Sequence, residues 1–378
     1  MKASLRSVGR CCRIMFAVLL TIALGRQAAA APVVYLAGDS TVMSYGSGNY
    51  PQQGWGGKIQ GLFTSGVTFN NRAIGGRSTK SFVDEGRLAL ILGVIKPGDY
   101  LLVQFGHNDS YSDVRLHTDP FTTYKTYLAM YIDLSRQYGA IPVLVTPMGR
   151  RRYDSAGQFI NDFVDRTTAM KQLAAEKSVP LIDLNAKSIA FYNAVGVAAT
   201  TDVFLWLAAN QYPKFPNGVS DATHFQEYGA GQLARLVAQG IEENRLGIRT
   251  LIGAVNYPAE AGSLSGAGTV RERIYGGWEG RGYVNFPASG GAMTLNNVIG
   301  KGGGARTLRI RYANGASART GQLVVNGITS GIRFNSTGSW TTWLTTDVLV
   351  SLNSGTANSL SLKSVGADLA NIDSITVL

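Results

Sequence analysis

Cysteine is nearly missing from this chain: of 378 residues two are cysteine, Cys11 and Cys12, and both precede an apolar run from Ile14 to Leu24. No disulfide framework can be built on them, and a lipoprotein anchor would need a cysteine after the run, where there is none. Long hydrophobic stretches are missing too, since Ile14–Leu24 covers about half of the ~20 residues a helix needs to cross a bilayer. Lys2, Arg6, Arg10 and Arg13 stand before it and the small-residue stretch Gln27-Ala28-Ala29-Ala30-Ala31-Pro32 after it. That is the pattern of a cleaved secretory signal. Residues 1–31 are therefore expected to be a signal peptide, the mature chain to begin at Ala31 or Pro32, and the product to be secreted, extracellular or periplasmic, with no membrane attachment after cleavage.

Acids are absent from that leading segment, which holds Lys2, Arg6, Arg10, Arg13 and Arg26, so the formal charge of +11 overstates the mature protein's. Taking those 5 from 35 basic residues leaves 30 against 24 acidic ones, or +6. A mild positive charge suits a polyanionic substrate, and plain solubility explains it as well. No RNA- or DNA-binding motif occurs, and a monomer is expected. Histidine is scarce: His107, His117 and His224 are the full set. His107 and His117 lie in no His/Cys/Asp pattern of zinc-site type; the first is expected to brace its loop and the second to sit on the surface.

What is present divides into two textures. From Val33 to about Leu246, short apolar runs (33–37, 67–69, 100–105, 142–145 and 180–184) alternate with stretches of helical spacing. Continuous apolar strands separated by helices indicate a parallel sheet buried on both faces, a doubly wound α/β/α sandwich. Its last helix is expected over Gln226–Asn244, with Leu233, Leu236, Val237 and Ile241 on one stripe and Gly247 as its stop. Beyond Gly247 the pattern turns to alternating strands, among them 307–312, 322–327 with its Asn326-Gly327 turn, 359–362 and 372–377, which indicates a β-sandwich domain of about 120 residues. The expected organisation is 32–247, a linker at 248–256, and 257–378.

Acyl transfer needs an activated nucleophile, a base, a group that orients the base, and donors for the oxyanion. Gly38-Asp39-Ser40 directly follows the first apolar strand, at the carboxyl edge of the sheet where open α/β folds place their sites. Taken alone, a serine there is more often a turn residue or a helix cap. Gly106-His107-Asn108-Asp109 follows the third long strand and offers the Asn108 amide; by itself it reads as a turn. Gly75-Gly76-Arg77-Ser78 follows the second strand, where a glycine lets a backbone N–H approach a ligand closely, or simply makes a tight turn. Asp221-Ala222-Thr223-His224 precedes the last helix, and its three-residue offset can bring the carboxylate to the imidazole Nδ1 with Nε2 facing the serine; the fragment alone also fits a helix cap beside an exposed histidine.

These blocks, in this order and spacing, resemble the SGNH (GDSL) hydrolase superfamily. The strings Tyr35-Leu36-Ala37-Gly38-Asp39-Ser40-Thr41, Gly54-Trp55-Gly56 and Gly75-Gly76-Arg77-Ser78 resemble its rhamnogalacturonan acetylesterase branch. The resemblance implies Ser40 as nucleophile, His224 as base and Asp221 as its orienter. The Ser40 and Gly76 N–H groups and the Asn108 amide become the oxyanion donors, with no cofactor needed for catalysis. Arg77, Lys80 and Arg150-Arg151-Arg152 lie near the same edge and could hold the carboxylates of a uronic-acid backbone, or could be a solvated basic surface.

Four C-terminal segments, Tyr257–Glu260, Gly282–Phe286, Thr337–Trp343 and Asn371–Ile375, resemble carbohydrate-binding modules of families 6 and 35. The resemblance implies a structural calcium, with Glu260, Glu272 and Asp373 as candidate ligands. Sugar binding would draw on Trp278, Tyr283, Trp340, Trp343 and Asn371, of which some must be core. The reading that results is a secreted serine esterase acting on an acetylated plant cell-wall polysaccharide, rhamnogalacturonan first. The alternatives are an acetylxylan or other polysaccharide deacetylase, a secreted GDSL lipase or thioesterase, and a non-catalytic wall-binding protein.

Overall fold

The computed structural model describes residues 30–378. The signal peptide expected over 1–31, with Cys11 and Cys12, lies outside the described residues apart from its last two. No helix among the described residues is long and apolar enough to cross a membrane.

In chain order the first half runs β1 (Val33–Gly38), β2 (Gln52–Gln53), β3 (Thr68–Asn71), α1 (Thr79–Asp84), α2 (Arg87–Leu92), β4 (Tyr100–Gln104), α3 (Lys125–Gln137) and β5 (Ile141–Val145). It continues with α4 (Val164–Glu176), β6 (Leu181–Ile182), α5 (Leu184–Ala199), β7 (Phe204–Leu207), β8 (Val219–Gln226) and α6 (Glu227–Glu243). Five strands form a parallel sheet in the order β3-β1-β4-β5-β6. Side chains alternate across a strand, so unbroken apolar runs bury both faces. One face packs Tyr35, Leu101 and Val103 against Phe82, Leu128, Tyr131 and Met170 of α1, α3 and α4. The other packs Leu36, Leu102 and Val143 against Leu184 and Phe191 of α5 and Leu233 and Val237 of α6.

A second, three-stranded sheet in the order β2-β8-β7 lies beside this core and went unforeseen. The helix expected to stop at Gly247 ends at Glu243, and the residue with left-handed backbone after it is Arg245, at φ 51°.

The second half holds β9 (Val255–Pro258), β10 (Ser263–Ser265), β11 (Val270–Glu272), β12 (Tyr283–Asn285), β13 (Ala292–Leu295) and β14 (Gly304–Ala313). It closes with β15 (Arg319–Val325), β16 (Ile328–Phe334), β17 (Trp343–Leu352), β18 (Leu360–Ser364) and β19 (Asn371–Val377). Two antiparallel sheets, β10-β13-β18-β15-β16 and β11-β12-β19-β14-β17 with β9 on β19, enclose Met293, Leu308, Ile310, Leu323, Leu362 and Ile375. The segment 248–256 is ordered into both halves. Thr64 N–H donates to the Leu251 carbonyl at 2.8 Å, Ile252 bridges Phe63, and Val255 and Asn256 pair with Val377 and Thr376.

Candidate active site

Ser40 leaves β1 on a turn that cannot unwind. Asp39 is fully buried, and its Oδ1 accepts from Thr41 N–H at 2.8 Å and Thr41 Oγ1 at 2.6 Å. Thr41 Oγ1 in turn accepts from Gln104 Nε2 at 2.8 Å, and Gln104 accepts from the indole N–H of fully buried Trp55 at 2.6 Å. Gly54 and Gly56 flank that indole because their backbone lies on the turn itself: a Cβ would stand 2.4 Å from the Met43 carbonyl at Gly54 and 2.5 Å from the Val42 carbonyl at Gly56. Burial works against the Asp39 charge, but His107, with Nδ1 3.4 Å from Asp39 Oδ2, and the Thr41 donors outweigh it and hold the carboxyl below its ordinary range. His107 is buried with its ring edge-on to Phe163 and braces the Gly106–Asp109 loop against this turn.

Two further loops close on Ser40. After β3 the chain keeps parallel bonds to β1, Arg72 N–H to Leu36 O at 2.9 Å and Ile74 N–H to Gly38 O at 3.0 Å, which delivers Gly75-Gly76 beside the serine. A Cβ on Gly75 would sit 3.6 Å from Ser40 Cβ, and Gly76 adopts φ +77°, a conformation that strains any other residue. Asn108 is buried and its amide donates to the Arg77 carbonyl at 3.0 Å, tying this loop to its neighbour. Asp109 locks the same pair of loops: fully buried, it accepts from Thr79 N–H and Oγ1 and from Thr118 Oγ1. Burial pushes its carboxyl up to about 6 against these donors.

His224 arrives on β8. Its pairing with β7 passes from Trp206↔Ser220 to Phe204↔Phe225, so residues 221–224 bow out of the ladder as a bulge, the device by which sheets re-aim side chains. Arg151 N–H pins the bulge by donating to the Ala222 carbonyl at 2.8 Å. There His224 Nδ1 meets Asp221 Oδ2 at 2.6 Å and His224 Nε2 meets Ser40 Oγ at 2.9 Å. Asp221 Oδ1 also accepts the N–H groups of Thr223 and His224, at 2.7 and 2.9 Å. Burial raises the Asp221 carboxyl, yet the His224 hydrogen bond and these N–H donors prevail and hold it at about 2. Burial lowers His224, and Asp221 more than reverses this, leaving the imidazole above 6.5. A carboxylate, an imidazole and a hydroxyl in series, beside two glycine-bearing loops and a buried amide, form an arrangement able to carry out acyl transfer.

The basic residues are largely spent on the protein itself. Arg77 Nε donates to Glu85 and its Nη1 to the Gly75 carbonyl at 2.8 Å, so it stiffens the loop rather than standing free. Lys80 pairs with Asp84 at 2.7 Å, and Arg150 lies against Phe163 and 3.5 Å from Asp162. Arg151 covers the ring of Trp206 at 4.3 Å, while Arg152 is the exposed member of the run. His117 is exposed. Trp206, half-exposed across from Ser220, was missed, although the strand-like run Phe204-Leu205-Trp206-Leu207 announces it.

In the sandwich, Tyr283 and Asn371 are buried and offer no platform, because β12 and β19 are buried almost throughout. Trp340 stacks on Tyr275 with ring centroids 5.9 Å apart, Trp343 donates to the Gly276 carbonyl at 2.8 Å, and Trp278 is half-buried. Tyr275 had not been singled out. No group of three His, Cys, Asp or Glu side chains among the described residues is placed to hold a metal, and the candidates Glu260, Glu272 and Asp373 have protein partners. Glu272 accepts from Tyr283 OH at 3.2 Å; Asp373 accepts from Glu279 N–H at 3.0 Å and is ion-paired with Arg311; Glu260 accepts from Arg281 N–H at 2.9 Å. Glu260 and Asp373 thus hold loop 279–281 directly, and Arg311 is the cation paired with Asp373.

Residues 36–232 match the family model described as GDSL-like Lipase/Acylhydrolase family, which spans half of the chain, and the chain belongs to that family of carboxylic-ester hydrolases. Residues 249–377 match the model Carbohydrate binding module (family 6), a match that begins inside the segment taken as linker. Among curated proteins the chain is 46% identical over 210 residues to rhamnogalacturonan acetylesterase RhgT of Bacillus subtilis, covering 56% of this chain and 89% of that one. It is 47% identical over 211 residues to the probable rhamnogalacturonan acetylesterase YesY of the same organism, covering 56% and 92%. Among solved structures, the Bacillus subtilis protein YxiM superimposes with a TM-score of 0.50 at 29% identity over 57% of each chain.

Proposed function

We propose that this protein removes acetyl groups from a plant cell-wall polysaccharide, rhamnogalacturonan foremost, through a covalent acetyl-enzyme on Ser40. The observation that carries the reading is the 2.9 Å contact of His224 Nε2 with Ser40 Oγ beside the Gly75-Gly76 loop. The two acetylesterases above supply the acyl group and the polymer, and the family 6 match supports a polysaccharide over a lipid.

In the proposed sequence, Ser40 Oγ attacks the acetyl carbonyl carbon while His224 Nε2 takes its proton. Asp221 holds the imidazolium that results, and the Ser40 and Gly76 N–H groups and the Asn108 amide stabilise the oxyanion. Collapse of the tetrahedral intermediate breaks the bond to the sugar oxygen, which receives the proton from His224. Water then attacks the acetyl-enzyme by the same relay and releases acetate. The half-exposed Trp206 beside the bulge offers a flat apolar face to a sugar ring. The leading segment supports secretion, to the exterior or the periplasm, and we take the working unit to be a monomer.

Acetate release from a panel of acetylated polysaccharides tests the reading. Rhamnogalacturonan should give the highest rate; equal or faster release from acetylxylan would overturn the choice of polymer.

A further inference from the structure

The sandwich is fixed to the α/β domain through the elements that carry the base. α6 starts three residues after His224, and a surface helix normally keeps a polar face in water. This helix does not. Gly240 lies against Ile182 of β6, where a Cβ would meet Ile182 Cγ2 at 2.4 Å. Arg235 is buried with its guanidinium 4.9 Å over the ring of Tyr257 in the sandwich, and Gln239 donates to the Asn297 carbonyl. The apolar core around Leu233, Val237 and Ile241 continues without a break into Val255, Met293 and Ile372.

One loop of the sandwich reaches past α6 to the strand of the base. Arg273 pairs with Asp202, and Arg281 donates to the side-chain carbonyl of Gln226. Gln226 is the last residue of β8 and is buried; its amide nitrogen donates to the Thr201 and Phe204 carbonyls, each at 2.9 Å. Because 221–224 have no ladder partner on β7, the position of His224 depends on the anchors on either side of it: the Arg151 N–H on Ala222, and downstream the pairing of Phe225 and Gln226 with β7 and β2 together with the Gln226 side chain. Arg281 is itself held, its N–H by Glu260 and its carbonyl by Arg273 Nε at 2.7 Å.

We propose that the C-terminal sandwich is part of the catalytic scaffold, and that Arg281 is a positioning residue it contributes to His224. This rests on the reading of His224 as the base. A tethered binding module would alter only the handling of polymer. A scaffold alters turnover of a small soluble ester that the sandwich never touches.

The test is steady-state kinetics of the full chain on 4-nitrophenyl acetate with Arg281→Ala, Arg281→Lys and, as a control remote from the junction, Arg309→Ala, whose partner is the exposed Asp347. Arg281→Ala should lower kcat on the order of tenfold with KM unchanged, since small displacements of a catalytic group cost rate rather than binding. Arg281→Lys should recover part of the loss, and Arg309→Ala should match the wild type. Should the alanine variant not fold, Arg281→Met, which keeps the apolar stem, carries the same test. A folded variant with kcat within about twofold of wild type, or a change in KM alone, overturns the proposal. An inactive wild type would count against the esterase reading instead.

Discussion

At the carboxyl edge of the parallel sheet, His224 of β8 meets the Ser40 hydroxyl at the end of β1, with Gly75 of the loop after β3 beside it and Asn108 of the loop after β4 tied to that loop. Around the loop 273–281 of the sandwich, polar side chains hold its backbone: Asp373 and Glu260 accept from the Glu279 and Arg281 N–H groups, and Arg311 donates to Asp373 and the Gly277 carbonyl. Both regions are dense in charge and hydrogen bonds. Their difference lies in the destination of the donors. Ser40 and His224 meet side chain to side chain at 2.9 Å, whereas Glu260 and Asp373 are taken up by backbone N–H groups.

The largest effect is expected at the carboxylate of Asp221. Asp221→Asn removes the group that raises His224 and fixes its tautomer, so kcat should fall on the order of 10⁴-fold. As the proposed base His224 must be neutral to take the proton, so the wild-type rate should rise with pH through a midpoint above 6.5; in the variant the residual rate should turn on at lower pH. A pH–rate profile checks both signs. Asn108→Ala should cost about 10²–10³ in kcat on a small acetyl ester while the protein stays folded; near-full activity would remove Asn108 from the oxyanion site.

The sandwich should respond through stability. Burial, with Asp373 adding to it, lifts the Glu260 carboxyl to about 8 against donation from Arg281 N–H, whereas an unfolded glutamate titrates near 4.5. Between those values the native state binds the extra proton, so this group's contribution makes stability fall as pH rises from 4.5 to about 8 and level off above. Glu260→Gln should flatten that slope and unfold at a higher temperature than the wild type in alkaline buffer, as thermal melts would show. The smallest effect is expected from metal: with Arg311 on Asp373 and Glu272 turned to Tyr283, a chelator should leave the melting midpoint where it was. A drop would restore the calcium expectation.

The serine, the asparagine and the Asp221/His224 pair were legible because each lies immediately beside a strong periodic element, whose direction places its end. The antiparallel β2-β8-β7 sheet was not, since Asp221–His224 shows no alternation and Gln52-Gln53, its partner strand, is two residues long. In the sandwich, the resemblance to binding modules picks out Tyr283 and Asn371 without showing that they are buried, because β12 and β19 are buried almost throughout; the register of β14 on β19 also shifts between Arg311 and Tyr312. Arg281 gives no local signal at all. Its role comes from a contact with Gln226, 55 residues away in the chain.

Catalysis as proposed requires Ser40 to carry the acetyl group of the polymer. Acid-quenched reactions with acetylated rhamnogalacturonan, followed by peptide mass mapping against Ser40→Ala, measure that step. One acetyl group on the Ser40 peptide, absent from the variant together with acetate release, is the predicted result. Acetate release that persists in Ser40→Ala, or acetyl found on another residue, would contradict it.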